Sequence, residues 1–169
     1  NGFILSFAPF SEALQPLLSE SPTRQLFHLH WPQIQLPESE PPERSSGATL
    51  LGSVSGIHEG VLLRYRVGAF SAPHLLRAWL EHLALCASSA QPPAPTHLLG
   101  LKEHQLLRPV AQAEARRQLA AWLECYLLGL TRPLPLLPQT AWCWVMEGGT
   151  LVQDADGAAR WQRHTDAAQ

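Results

Sequence analysis

Residues 48–89 read ATLLGSVSGIHEGVLLRYRVGAFSAPHLLRAWLEHLALCASS, and their periodicity decides the fold class. Residues 48–55 and 60–67 carry aliphatic and aromatic residues without a helical period, so they read as strands. Between them lies Gly56-Ile57-His58-Glu59-Gly60, a turn sequence that makes the pair a hairpin. In the second strand Leu63, Tyr65 and Val67 face one side, and Leu62, Arg64 and Arg66 face the other. After Ser71 the period becomes 3.6. Leu75, Leu76, Trp79, Leu80, Leu83, Cys86 and Ala87 form a wide apolar stripe. Ser71 is placed to cap this helix, and Pro73 is tolerated in its first turn. Arg77 and Glu81 form an i,i+4 pair on the wet face.

Outward from this unit, residues 26–36 alternate apolar and polar, a strand whose Pro32 marks a bulge or an edge. Residues 8–19 predict a short helix, capped by Ser11 and kinked at Pro16. Residues 96–101 and 104–108 predict a second hairpin. A long helix follows over 111–130, with Leu119, Trp122, Leu123, Tyr126, Leu127 and Leu130 on one face. Residues 133–138 (PLPLLP) fit an extended strap, 140–146 (TAWCWVM) a buried strand and 157–169 a helix. The Pro- and Ser-rich stretches 37–47 and 88–95 read as surface loops. This order predicts an α/β sandwich on a mixed central sheet flanked by helices. The 169 residues suit one domain, with 1–25 peripheral and 26–169 as its core.

Composition narrows the function. The chain is 46% hydrophobic and 15% charged, which excludes a disordered charged tail. No apolar run reaches the roughly 18 residues of a membrane span, so no membrane partner is expected. The net charge of −2 announces no nucleic-acid partner and argues against strong DNA affinity by this chain alone. The chain starts at Asn1 with no basic-then-apolar leader, so a fragment or a processed chain is expected. Cys86, Cys125 and Cys143 are scattered, with no C-x-x-C, and read as buried free thiols of a reducing compartment.

No phosphate-binding loop, dinucleotide fingerprint or zinc-protease motif is present. The string Gly52-Ser53-Val54-Ser55-Gly56 has the wrong spacing for a nucleophile elbow, and no Asp precedes Asp154. Two histidine pairs, His28 with His30 and His74 with His82, offer two ligands each where a metal needs three or four, so no metal site is expected. Trp79 and Trp122 sit on helical apolar stripes and read as core; Trp31 and Trp161 are less constrained. Arg116-Arg117 reads as a solvated helix face. Arg64 and Arg66 are the informative pair. Two guanidinium groups on one face of a central strand are costly unless exposed, or paired with carboxylate or phosphate. Either Glu side chains or an external phosphate or partner would serve.

The segment GSVSGIHEGVLLRYRVG, running into LLRAWLEHLALCASS, resembles the RecB-like branch of the PD-(D/E)XK nucleases. More closely, L-L-R-Y-R followed by W-L-E-H-L-A-L-C-A-S resembles the C-terminal region of RecC, the gamma subunits of exodeoxyribonuclease V. The close similarity covers about 48–90, and the order of elements covers roughly 24–165. The resemblance implies a restriction-endonuclease-like sandwich. Active nucleases of this kind carry G-x-[IV]-D on the first strand and D-Y-K on the second. By this resemblance Ser55 stands at the first metal-binding Asp, Arg64 at the second carboxylate and Arg66 at the catalytic Lys. A hydroxyl is a poor Mg²⁺ ligand, and a guanidinium repels the cation.

The resemblance therefore implies a nuclease-like fold without nuclease chemistry and without a cofactor. It implies RecB and RecD subunits and DNA as partners, in a bacterial cytoplasmic complex for double-strand-break repair and recombination. Arg64 and Arg66 become the candidates for DNA or partner contact. Two rival expectations stand beside this one. An active Mg²⁺ exonuclease would need Glu59, Glu103 and Glu147 to converge, and a pure protein-interaction domain would touch no DNA.

Overall fold

Glu59 and Gly60 both take positive φ, 50° and 85°. A two-residue loop with positive φ at both positions matches the twist of its flanking strands, the type I′ pattern. The computed structural model describes residues 8–18, 20–34, 47–89, 95–134, 140–143, 149–153 and 159–163. In it the tight loop joins β2 (Ala48–His58) to β3 (Val61–Tyr65), with His58 opposite Val61. The expected five-residue turn shrinks to two, because Gly56, Ile57 and His58 continue the strand.

The main sheet runs in the order β1 to β5, with β1 spanning Thr23–Trp31, β4 Thr96–Leu99 and β5 His104–Leu107. All neighbours are antiparallel except β3 and β4, which are parallel. A parallel pair needs a crossover, and α2 (Ala72–Ser88) supplies it. The sheet is thus mixed and carries helices, as the pattern predicts. β1 starts and ends earlier than 26–36. Pro32 stops it, and the chain turns there, with Ile34 N donating to the Trp31 carbonyl at 3.2 Å. α1 (Ala8–Leu14) gives way at Pro16 to a 3₁₀ turn, Gln15–Leu17, so Ser11 lies inside the helix rather than at its cap.

Along β1 the odd residues 27, 29 and 31 turn inward, and His28 and His30 turn to solvent. Leu29 and Trp31 meet Leu83, Cys86 and Ala87 of α2, and Ala115, Leu119 and Leu127 of α3 (Gln112–Thr131). Val54, Ile57 and Leu62 meet Ala84 and Leu85 from the sheet side. Six consecutive residues, 82–87, are buried, because the C-terminal half of α2 lies between the sheet and α3. The α3 stripe is narrower than its sequence suggests: Tyr126 and Leu130 are exposed and Trp122 is half-buried. Cys86 is buried, and burial pushes its thiol upward; Cys125 and Cys143 are exposed, against expectation. Arg117 is exposed, as expected, and Arg116 is partly exposed but also makes tertiary contacts. It donates to the His30 carbonyl at 2.7 Å and lies over the Trp31 ring at 5.3 Å, which ties α3 to β1.

Towards the C-terminus two expectations fail. Residues 140–143 are helical, not a strand, and the rest of the expected 140–146 strand lies outside the described residues. Within the helix expected over 157–169, residues 159–163 instead form β7 (Ala159–Arg163), which pairs antiparallel with β6 (Gly149–Gln153), and the rest of that stretch lies outside the described residues. Asp156-Gly157 between them is a hairpin signal that outweighs a weak helical period. Among the described residues no helix is long and apolar enough to cross a membrane.

His82 shows how the layers are tied. It is 0% exposed. Its Nε2 donates to the Arg108 carbonyl at 2.9 Å, and its Nδ1 accepts from the Thr96 hydroxyl at 2.9 Å. Burial lowers its pKa from the usual 6.5, against a smaller opposing effect of the Arg108 carbonyl. The unfolded chain therefore binds this proton more readily. The stability from His82 is full above about pH 6.5 and is lost as pH falls below it. Urea denaturation between pH 7.5 and 5.5 should show the midpoint falling. His82→Gln should lose about 1–3 kcal/mol at pH 7.5, the cost of stranded partners, and show a shallower slope. An unchanged slope would remove His82 from the acid response.

Candidate functional site

β2 and β3 pair at Ile57↔Leu62 and His58↔Val61. Above that ladder they part, and the N-terminal half of α2 lies against the gap. An open cleft of about 520 Å³ occupies this fork. The sheet side supplies Arg24, Ser53 and Ser55, with Arg24 opposite Ser55 in the β1–β2 register. Arg64, Tyr65, Arg66 and Phe70 come from β3 and the chain that follows it. From α2 come His74, Arg77 and Glu81. Four guanidinium groups thus share the cleft with one carboxylate among the described residues.

Arg64 lies on the α2-facing side of β3. Its Nε donates to Glu81 Oε2 at 2.6 Å, and its Nη1 donates to the Ser55 carbonyl at 2.8 Å. Gly56, at φ 74°, leaves room for this: a Cβ there would stand 2.8 Å from Arg64 Nη1. The other Glu81 oxygen accepts from Arg77 Nε at 3.1 Å. The two contacts are unequal. The Arg64 and Glu81 side chains are 24% and 19% exposed, whereas Arg77 is 81% exposed and solvent screens it. Arg77 and Glu81 are therefore the expected i,i+4 pair, but the carboxylate chiefly serves Arg64.

Arg66 follows the end of β3. Its Nη1 meets the His74 ring, 2.7 Å from Nδ1 and 2.9 Å from Nε2. His74 Nδ1 meets the Ser71 hydroxyl at 2.5 Å. The Ser71 side chain thus makes no capping bond to the α2 backbone, which its sequence position suggested. Neither Arg24 nor Arg66 has a carboxylate partner among the described residues. The open question at Arg64 and Arg66 therefore divides: Arg64 is met by carboxylate, and Arg66 is not.

The structure brings Ser55, Arg64 and Arg66 into one cleft. Of the carboxylates of the active-nuclease expectation, neither Glu59 nor Glu103 lines it. Glu59 is exposed in the β2–β3 turn. Glu103 Oε1 accepts from Phe70 N at 2.6 Å and so positions one wall of the cleft from behind. Glu147 lies outside the described residues. The histidine pairs separate as well. His82 is core while His74 lines the cleft, and His30 shares a 2.9 Å hydrogen bond with Thr49 on the open face of β1. Among the described residues no three His, Cys, Asp or Glu side chains gather as a metal would need. Mg²⁺ takes oxygen ligands, carboxylates above all. The cleft offers hydroxyls, four guanidinium groups and a carboxylate already bridging two of them, a donor set that does not fit the ion.

Residues 4–149 match a family model described as the RecC C-terminal domain. This chain belongs to the RecC C-terminal domain family. A RecBCD enzyme subunit RecC from Escherichia coli (strain K12) is 29% identical over 100 residues, 59% of this chain and 9% of that protein. The match thus spans under a tenth of that relative's length. Within this RecC C-terminal domain, sequence reasoning missed Arg24, Ser53, Phe70 and His74 as cleft residues. The available signal was the strand register, which sets Arg24 beside Ser55 once β1 and β2 pair.

The unequal contacts of Glu81 are measurable. Double-mutant cycles should give a coupling of about 1–3 kcal/mol for Arg64 with Glu81. For Arg77 with Glu81 they should give below about 0.5 kcal/mol. Equal couplings would place Arg64 in a solvent-screened setting and contradict the burial.

Proposed function

We propose that this chain is a non-catalytic C-terminal module of a RecC-type gamma subunit. Its work is subunit assembly and DNA positioning within a RecBCD-type helicase–nuclease, exodeoxyribonuclease V. Its partners are RecB- and RecD-type subunits in a bacterial cytoplasm, and DNA. The observation that carries this reading is the occupancy of the motif positions: Ser55, Arg64 and Arg66 share one cleft.

Hydrolysis at such a site needs a cation held by carboxylates, which activates water beside the scissile phosphate. Arg64 stands at the second carboxylate position and brings positive charge instead. Glu81, the carboxylate within reach, is neutralised by Arg64 and Arg77. Ser55 and Arg66 complete a degenerate site, and no cofactor is assigned to it.

Mg²⁺ and Mn²⁺ titration calorimetry on this chain, run beside DNA-degradation assays, tests the missing chemistry. The expected result is no saturable binding and no cleavage. Saturable binding with cleavage, abolished by Glu81→Gln or Glu59→Gln, would make this a working nuclease with a rearranged site. Co-purification with RecB- and RecD-type subunits tests the assembly role. Its absence would remove that part of the reading.

A further inference from the structure

We propose that His97 and His104 form a chelating site for a late first-row divalent cation, Cu²⁺ most tightly and Zn²⁺ next. The site stands on the β4–β5 hairpin, apart from the arginine cleft, and is independent of the reading above.

Strand register places the pair. His97 lies opposite Leu106, and Leu99 lies opposite His104. All four residues therefore share one face, and the two histidines are diagonal neighbours across the ladder. Diagonal positions stand about 7–8 Å apart, a gap that two imidazoles can close from either side. Here they close it: His97 Nδ1 is 3.0 Å from His104 Nε2, and the ring centroids are 5.1 Å apart. The backbone beneath is held. β4 is an inner strand, Leu98 and Leu99 are buried, and Thr96 is hydrogen-bonded to the buried His82. His104 is exposed, so an ion reaches the pair from solvent.

The separation matches a chelate's bite. With metal–imidazole bonds of about 2.0–2.1 Å, two nitrogens on one ion stand about 2.9 Å apart at a right angle and about 3.3 Å apart at a tetrahedral angle. The nitrogens thus need to part by about 0.3 Å at most, with a turn of the rings. One of the facing nitrogens carries the proton they share. That ring passes it to its other nitrogen when a cation takes its place.

The donors select the ion. Imidazole suits copper, zinc and nickel, and affinity peaks at Cu²⁺ and is lowest at Mn²⁺. Mg²⁺ takes oxygen ligands instead. Glu103, next to His104, is already committed: Oε1 accepts from Phe70 N and Oε2 from Gln105 Nε2. Two protein ligands leave the other positions to water, so the ion is exchangeable. The pair thus differs from the three-ligand cluster of a resident metal, which is absent among the described residues.

The test is isothermal titration of this chain with Cu²⁺ and with Zn²⁺ at pH 7.5, where imidazoles of ordinary pKa are mostly neutral. The chain carries no histidine tag, and Cys125→Ser with Cys143→Ser keeps the exposed thiols from binding or reducing Cu²⁺. Micromolar Cu²⁺ binding and weaker Zn²⁺ binding are expected, with two coordinated nitrogens in the Cu²⁺ electron paramagnetic resonance spectrum. Losing even an outer partner of a ligand costs about tenfold or more in metal affinity, so His97→Gln and His104→Gln should each cost at least that. Their melting temperatures without metal check the fold, and Zn²⁺ should raise that of the parent chain more than that of His104→Gln. His28→Gln with His30→Gln removes the solvent-facing histidine pair of β1 and should change affinity less than twofold. Undiminished Cu²⁺ affinity in His97→Gln and His104→Gln overturns the proposal. So does the absence of saturable binding, or its loss in the His28/His30 variant alone.

Discussion

A guanidinium on the helix-facing side of a central strand has to be neutralised where it sits. Arg64 is three-quarters buried, and a charge in that setting is tolerable when both its electrostatics and its donors are met. Glu81 meets the charge from α2, and the Ser55 carbonyl meets a donor from β2. One side chain thus links the two strands of the fork to the crossover helix. The apolar half of α2 is fixed by burial between sheet and α3; its polar half is fixed by this contact. The cleft at the fork is lined by this ion pair.

The same contact sets the field of the cleft. Glu81 is consumed by Arg64 and, more weakly, by Arg77. Nothing comparable offsets Arg24 and Arg66 among the described residues. A chain of slightly negative net charge therefore carries a local positive site. Overall charge governs long-range steering, whereas a ligand a few ångströms from a guanidinium responds to the local groups. The weak overall charge and the cationic cleft are thus compatible: loose encounter, local recognition.

The strands β2 and β3 and the helices α2 and α3 were legible in the sequence. Their periods are long, and their ends are marked by glycine, proline or serine. Less legible were features set by pairing. The hairpin of β6 and β7 has short arms, and only Asp156-Gly157 signals it. Tyr126 and Leu130 follow a helical period yet face solvent, whereas Leu127 between them is buried, so the buried stripe of α3 is narrower than the period suggests. Arg116 looked solvated until α3 crossed Trp31. Ser55, Arg64 and Arg66 could be placed in one site through the resemblance to the nuclease motif. Arg24 entered through strand register and His74 through the direction of α2, and neither is written in local sequence.

The arginines also change how a phosphate can be held at such a position. A metal nuclease grips phosphate through a cation that its carboxylates hold, and the same cation activates the attacking water. A guanidinium grips phosphate directly and permanently, since it does not deprotonate in proteins. It supplies charge and geometry but no acidic metal-bound water. On the proposed reading, exchanging carboxylate for arginine keeps affinity for the ligand class while removing the means to cleave it. Positioning a strand without cutting it requires that separation.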